Sequence, residues 1–499
     1  MTEIIPFKKA ALIQERETTA AEIISKSRWQ ITGALVISLV IHFLFFGDYY
    51  LTYDDAYVFH VYARNLAQGH GFSFNPGEIS HAATPLLTFI LAAQHFLFQE
   101  SALVTAKFVN LGFGLASTVL IFLVAYRITS NTFIAFASSL VWAASPLESI
   151  LSAGPQDFTL FTFLLLLSLY FYLFHPRSIW TYVFLGFTTL ARYEGALYAL
   201  LLYLNHLYMD YRNDEFSWKN ALVRLLVLSA FPAIWFVYIG THASLLPTSG
   251  SAKLNPWALR KVPHFIGGIL ILFFPILIMA ATAAGLAQIR ERAPKYMFLF
   301  IWVTFCMFFY GPFLDNRRYY VHLLPFIGLF SLVYLKMVAE KYFSSPRWSQ
   351  IFLYGTIGVC FFAYFLLNIY YYDQTRSGQK LTAYPAYRDA GLWLKNNTSR
   401  DASFASEEIG VIPYFAERRL VDFSGWVDLK SKQYREKGDG INEKMLDFLS
   451  TRKPEYLIIN TDIVTARRQQ LLAQDTRFKL EHQIPLLGTE HVLIYSCRW

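Results

Sequence analysis

Charge is scarce in this sequence. Lys, Arg, Asp and Glu make up only 16% of its 499 residues, against about 25% in an ordinary soluble domain. Cysteine is nearly absent: Cys306 and Cys360 sit in apolar runs and Cys497 lies near the end. That spacing excludes a disulfide framework and a thiolate metal site. His60, His70, His81 and His242 show no H-E-x-x-H spacing, which argues against a zinc hydrolase. No G-x-G-x-x-G opens the C-terminal part, so a dinucleotide site is not expected there. Internal repeats and intramembrane carboxylates, the marks of many transporters, are also missing.

Apolar residues are abundant, at 55%, with 18% aromatic and a mean hydropathy of +0.35. Twelve apolar runs follow one another: 29–47, 84–98, 103–126, 132–147, 158–174, 178–190, 195–209, 221–240, 264–288, 296–314, 319–337 and 351–372. Most are long enough to cross a bilayer. The net charge of +8 would suit nucleic acid, but Lys and Arg collected in cytoplasmic loops explain it, and no nucleic acid partner is expected. The basic connectors at Arg127, 175–177, 211–219, 290–295 and 336–347 share one side if one early run does not cross. Run 84–98 is the candidate, being below the usual minimum of about 17 residues. The reading is therefore about eleven crossings. Residues 1–28 form a cytoplasmic tail before an uncleaved first helix. Residues 29–372 form the membrane domain and 373–499 an extracytoplasmic α/β domain. On this topology Arg292 is cytoplasmic and Cys497 is outside.

The first outer loop, residues 48–102, opens with adjacent acids, Asp54 and Asp55. A short helix, Ala56 to Gln68, should follow and end at Gly69 and Gly71. Val58, Val61, Tyr62 and Leu66 share one face, with Asp55 on the same side. His60, Arg64 and Gln68 share the other. Such a helix lies in the membrane interface, with Asp55 aimed at the embedded body. One aspartate could be an N-cap, but a cap does not explain the pair.

The run D-D-A-Y-x(5)-Y-A-R-N-L-A-x-G-H-G-x-x-F-N-P-G-E, followed by T-P-L, resembles the first extracytoplasmic loop of GT-C glycosyltransferases. It is most like the branch of the actinobacterial cell-wall arabinofuranosyltransferases. L-A-R-Y-E-G around Arg192 and Glu194 resembles that branch's L-x-R-P-E-G turn, with Tyr193 in place of proline. L-L-P-T-S-G-S-A-K, ending at Lys253, is similar to its L-L-P-N-x-x-x-A-K. D-N-R-R-Y places Arg318 in an R-Y border motif. The Glu408–Gly425 run resembles the branch's tail domain. Asp157 stands near the acid that relatives carry after the second outer loop, and it also reads as the N-cap of the next helix.

The resemblance implies a membrane enzyme that moves one sugar from a polyprenyl-phosphate donor to an extracytoplasmic glycan, lipid or protein acceptor, with inversion. Such a reaction needs a base for the acceptor hydroxyl and cations for the leaving phosphate. The resemblance assigns Asp54 and Asp55 to catalysis and Arg192, Lys253 and Arg318 to the donor phosphate. Asp157, Glu194 and Glu78 are supporting acids, and His81 and Tyr57 are acceptor or loop residues. Some relatives use a divalent metal, and Asp54, Asp55 and Asp157 could hold Mg²⁺ or Mn²⁺. A flippase for lipid-linked sugar or polysaccharide is the alternative, and a membrane scaffold is a third. A carboxylate pair beside a cavity favours the enzyme; polar residues running through the membrane would favour transport.

Overall fold

The computed structural model describes residues 18–46, 54–245, 293–309, 317–377, 379–428, 431, 443–461, 472, 474–486 and 490–499. Helix α1 (Ala20–Lys26) starts at a capping box, in which Thr19 and Glu22 satisfy each other's backbone N–H. The apolar runs become α2 (Arg28–Phe46), α5 (Ala102–Thr129), α8 (Asp157–Phe174), α9 (Trp180–Ala191), α10 (Gly195–Arg212) and α11 (Trp218–His242). They continue as α12 (Ala293–Phe309), α13 (Leu324–Tyr342) and α14 (Pro346–Ser377). Among the described residues six helices are long and apolar enough to cross a membrane. Only 6% of the window in α14 and 17% of that in α11 is buried. Such faces are stable in lipid, not water, so the protein is a polytopic membrane protein. Run 264–288 lies outside the described residues, and the count of eleven crossings depends on it.

Run 132–147 is not one straight helix. It breaks into α6 (Thr132–Ala143) and α7 (Pro146–Ala153), bent by 51°. Ser145 causes the break by accepting from Glu148 N, with Pro146 at the first helical position. Buried α7 packs on α2, on α5 and on the 3-10 segment Arg317–Leu323.

The first loop carries α3 (Asp54–Ala67), the hairpin β1 (Ser73–Asn75) with β2 (Glu78–Ile79), and α4 (Pro85–Phe98). Gly69 and Gly71, both at positive φ, turn the chain after α3. Helix α4 is a short apolar helix packed against α3 and α5.

Past α14 come α15 (Gln379–Asn397), β3 (Ser403–Ser406), α16 (Val411–Ala416), β4 (Arg419–Asp422), α17 (Glu443–Arg452), β5 (Tyr456–Asn460), β6 (Phe478–Pro485) and β7 (His491–Cys497). The sheet order is β4-β3-β5-β7-β6, with β4, β3 and β5 parallel and the last two antiparallel. Its alternation divides two cores. Ala405, Leu457, Ile459 and Leu493 pack with Phe448 and Leu449 of α17. Phe404, Ile458, Val492 and Ile494 belong to a core continuous with the membrane bundle.

That continuity changes the picture of α3. His60, on the face expected to be solvated, is fully buried, as are Tyr57 and Tyr62. The tail covers that face: Tyr414 of α16 meets Tyr57 with ring centroids 5.5 Å apart and His60 at 6.0 Å.

Candidate functional site

Five segments converge at the end of the bundle that carries the first loop. Helix α8 begins at Asp157, and Gln156 occupies the N-cap position without capping. The Asp157 carboxylate does not act as a cap. Its Oδ1 accepts from Arg192 Nη1 at 2.7 Å, and Arg192 Nε donates to Glu194 Oε1 at 2.6 Å. Exposure of the three side chains is 8%, 12% and 16%, so each charge depends on the others for solvation. The Arg192 guanidinium lies 4.0 Å from the Phe158 ring centroid, at stacking distance. Helix α9 ends at Ala191, and Gly195 opens α10. A Cβ on Gly195 would collide with the Thr188 backbone, so the R-Y-E-G turn requires glycine there.

The second pair joins α3 to the 3-10 segment: Arg318 Nη1 is paired with Asp55 Oδ2. Asp55 therefore faces the membrane body. Tyr319 lies between the two arginines, its ring centroid 5.5 Å from the Arg318 guanidinium carbon and 5.9 Å from that of Arg192. Asp54 opens α3 beside Asp55; its side chain lies outside the described part, as does that of Arg317. Lys253 is outside the described residues altogether.

His81 adjoins this group. Its Nδ1 is 3.1 Å from the Ser244 carbonyl and must donate, because a carbonyl only accepts. Nε2 is then the acceptor for the Tyr193 hydroxyl. Burial draws the His81 pKa down, which favours this neutral form. Tyr193, the residue that departs from the branch's proline, thus has a partner here. Thr84 Oγ1 lies 3.5 Å from Asp157 Oδ2, which brings the T-P-L stretch to the same place.

Two sequence candidates lie elsewhere. Glu78 is paired with Arg419 of β4 and also accepts from Asn75 Nδ2 at 3.2 Å. Tyr57 is fully buried against Tyr414 and Phe415, so it is a packing residue, not an open loop position. Both belong to the seam with the tail. Tyr319 and Phe158 were not singled out from the sequence. Tyr319 follows Arg318 in the border motif, which was the available signal; Phe158 had none in an apolar run. Among the described residues no group of three His, Cys, Asp or Glu side chains converges as metal ligands. Asp55 and Asp157 each face a guanidinium instead.

A family model described as a domain of unknown function (DUF8728) matches residues 368–495. No curated protein is significantly similar in sequence. Solved structures are similar over nearly the whole chain. ArnT from Cupriavidus metallidurans in the apo state superimposes with a TM-score of 0.58 at 12% identity, covering 95% of this chain and 98% of that one. The Archaeoglobus fulgidus oligosaccharyltransferase complex with Zn and sulfate gives 0.57 at 12%, covering 94% and 73%. AglB from the same organism, in complex with an inhibitory peptide and a dolichol-phosphate, gives 0.59 at 11%, covering 95% and 75%. The fold is therefore of GT-C type, a polytopic helical membrane domain followed by a C-terminal domain. At such identities the likeness carries the fold alone.

Proposed function

We propose that the chain is an integral membrane glycosyltransferase. It transfers a single sugar from a polyprenyl-phosphate donor to an extracytoplasmic glycan, lipid or protein acceptor, with inversion. Residues 29–372 are the catalytic membrane domain and 373–499 a soluble extracytoplasmic domain, in a bacterial plasma membrane. The observation that carries the reading is the group around Tyr319. It brings two guanidiniums and three carboxylates together where the D-D helix begins. Solved relatives in fold support the donor class: one ArnT structure is bound to undecaprenyl phosphate.

The Asp55 carboxylate is already engaged by Arg318. That favours Asp54 as the base that deprotonates the acceptor hydroxyl, with Asp55 and Arg318 fixing the helix end. The hydroxyl oxygen then attacks the anomeric carbon, and the polyprenyl phosphate departs as an anion that needs no strong acid. It does need positive charge. Arg192 is already shared by Asp157 and Glu194, and three carboxylates outnumber two guanidiniums in the described group. We assign the phosphate contacts to Lys253, Arg192 and Arg318, the cations the resemblance implies.

The D-D run supports the finer assignment to the arabinofuranosyltransferase-like branch. The test is to incubate purified protein in lipid nanodiscs with polyprenyl-phosphate arabinofuranose, mannose and other sugars, and to follow donor loss. Consumption of one donor in the presence of an acceptor is expected. Movement of intact donor across the bilayer without consumption would favour the flippase.

A further inference from the structure

We infer that the C-terminal domain is a brace for the acid-bearing helix. Arg64 and Tyr414 are then positioning residues for Asp54 and Asp55. This rests on the catalytic reading of those acids and assigns a role to the segment matched by the family model of unknown function.

Helix α3 has 14 residues, a length that is marginal as a helix in water without tertiary support. Val58, Val61 and Tyr62 bury one stripe against the bundle. Tyr57, His60 and Arg64, spaced at i, i+3 and i+7, form a neighbouring stripe, and all three meet the tail. Arg64 Nη1 donates to the Tyr414 carbonyl at 2.6 Å. Its guanidinium lies 5.0 Å from the Tyr414 ring centroid and 3.7 Å from the Glu417 carboxylate. Tyr57 packs against both Tyr414 and Phe415.

The seam continues along the hairpin. Asn75 pairs both ways with the backbone of Leu420: Nδ2 donates to its carbonyl at 3.0 Å and Oδ1 accepts from its N–H at 3.0 Å. β4 is the edge strand of the sheet, and this amide satisfies groups the edge would otherwise expose. Glu78 and Arg419 close the row. Asn75 and Glu78 are the N and E of the N-P-G-E stretch, so the end of the first-loop run is occupied in holding the tail.

The consequence is a division of labour. A general base must be held to about half an ångström, and here one stripe of its helix is fixed by the tail. Arg192 of the α9–α10 turn and Arg318 of the 3-10 segment, the described part of the phosphate side, make none of these contacts with the tail, and Arg318 meets α3 at its other end, through Asp55. Loosening the seam should therefore slow the chemical step and spare donor binding.

The test uses the full-length protein in nanodiscs with Tyr414→Ala, Arg64→Ala and Arg64→Lys. Three quantities are measured: turnover, affinity for polyprenyl phosphate, and amide hydrogen exchange over residues 54–67. The brace predicts faster exchange in α3 for the two alanine variants, a turnover loss of roughly tenfold to a hundredfold, and phosphate affinity within about twofold of wild type. Arg64→Lys keeps a donor and should recover part of the loss. Asn75→Ala, which opens no core cavity, must change exchange and turnover in the same direction where Tyr414→Ala does not fold. Unchanged exchange in α3 overturns the brace. So does an equal loss of phosphate affinity, which would mean general disruption. If α3 loosens but turnover is unchanged by both the seam variants and Asp54→Asn, the brace stands as structure and the catalytic reading of the acids fails.

Discussion

At the residue scale, the triad Asp157–Arg192–Glu194 shows what a buried charge requires. Removing the cation leaves two half-paired carboxylates facing each other at low exposure. Arg192→Ala should cost about 3–5 kcal/mol, the range for breaking a buried pair. Asp157→Ala combined with Arg192→Ala should cost less than the sum of the two. Thermal unfolding of monodisperse protein in one detergent reads both; strict additivity would contradict the coupling. The sequence made all three residues visible as candidates, and the R-Y-E-G turn placed two of them. It could not show that Asp157 reaches across to α9–α10 instead of capping its own helix. An N-cap is a local relation, whereas this pair joins residues 35 apart.

The seam between α3, α4 and α16 contains a titratable device at the element scale. His60 Nδ1 and His95 Nε2 are 3.0 Å apart, both rings buried near Tyr414. Arg64, Glu417 and Lys395 are the charges around them. Burial lowers the His95 pKa to about 4 and that of His60 well below 6.5, with Arg64 adding to both. A histidine depressed in the folded state binds fewer protons there than when released. The seam is therefore at full strength above about 6.5 and weakens as pH falls towards 4. Exchange protection of α3 should fall over that window, and His95→Gln should flatten the profile. A wild-type profile flat from pH 7 to 4.5 would exclude the pair as its source.

The elements themselves were largely legible. α3 and α4 appear within a few residues of where periodicity puts them, and the tail folds as the expected α/β domain. The bend at Ser145-Pro146 was signalled by an N-cap followed by proline, yet the apolar run masked it. The polar face of α3 misled for another reason. His60 and Arg64 look solvated until the partner that covers them, more than 300 residues away, is in place.

At the scale of the whole molecule, the proposed topology puts the tail and the first loop on the side opposite the basic connectors. Cys497 is a poor reporter, because burial pushes its thiol up to about 12. In a cysteine-free background, Lys479→Cys and Arg177→Cys offer exposed sites, at 63% and 92% side-chain exposure. An impermeant thiol reagent on intact cells should label position 479 and not 177; the reverse pattern would invert the topology. The central claim is that this membrane protein transfers a sugar with Asp54 as the base. Asp54→Asn nearly keeps the shape of the side chain and cannot take the proton. Turnover of the preferred donor should therefore fall by roughly 10²–10⁴-fold, the usual worth of a general base, while polyprenyl-phosphate affinity stays at the wild-type value. Near-normal turnover in Asp54→Asn would contradict the account, and a comparable loss confined to Asp55→Asn would move the base to its neighbour.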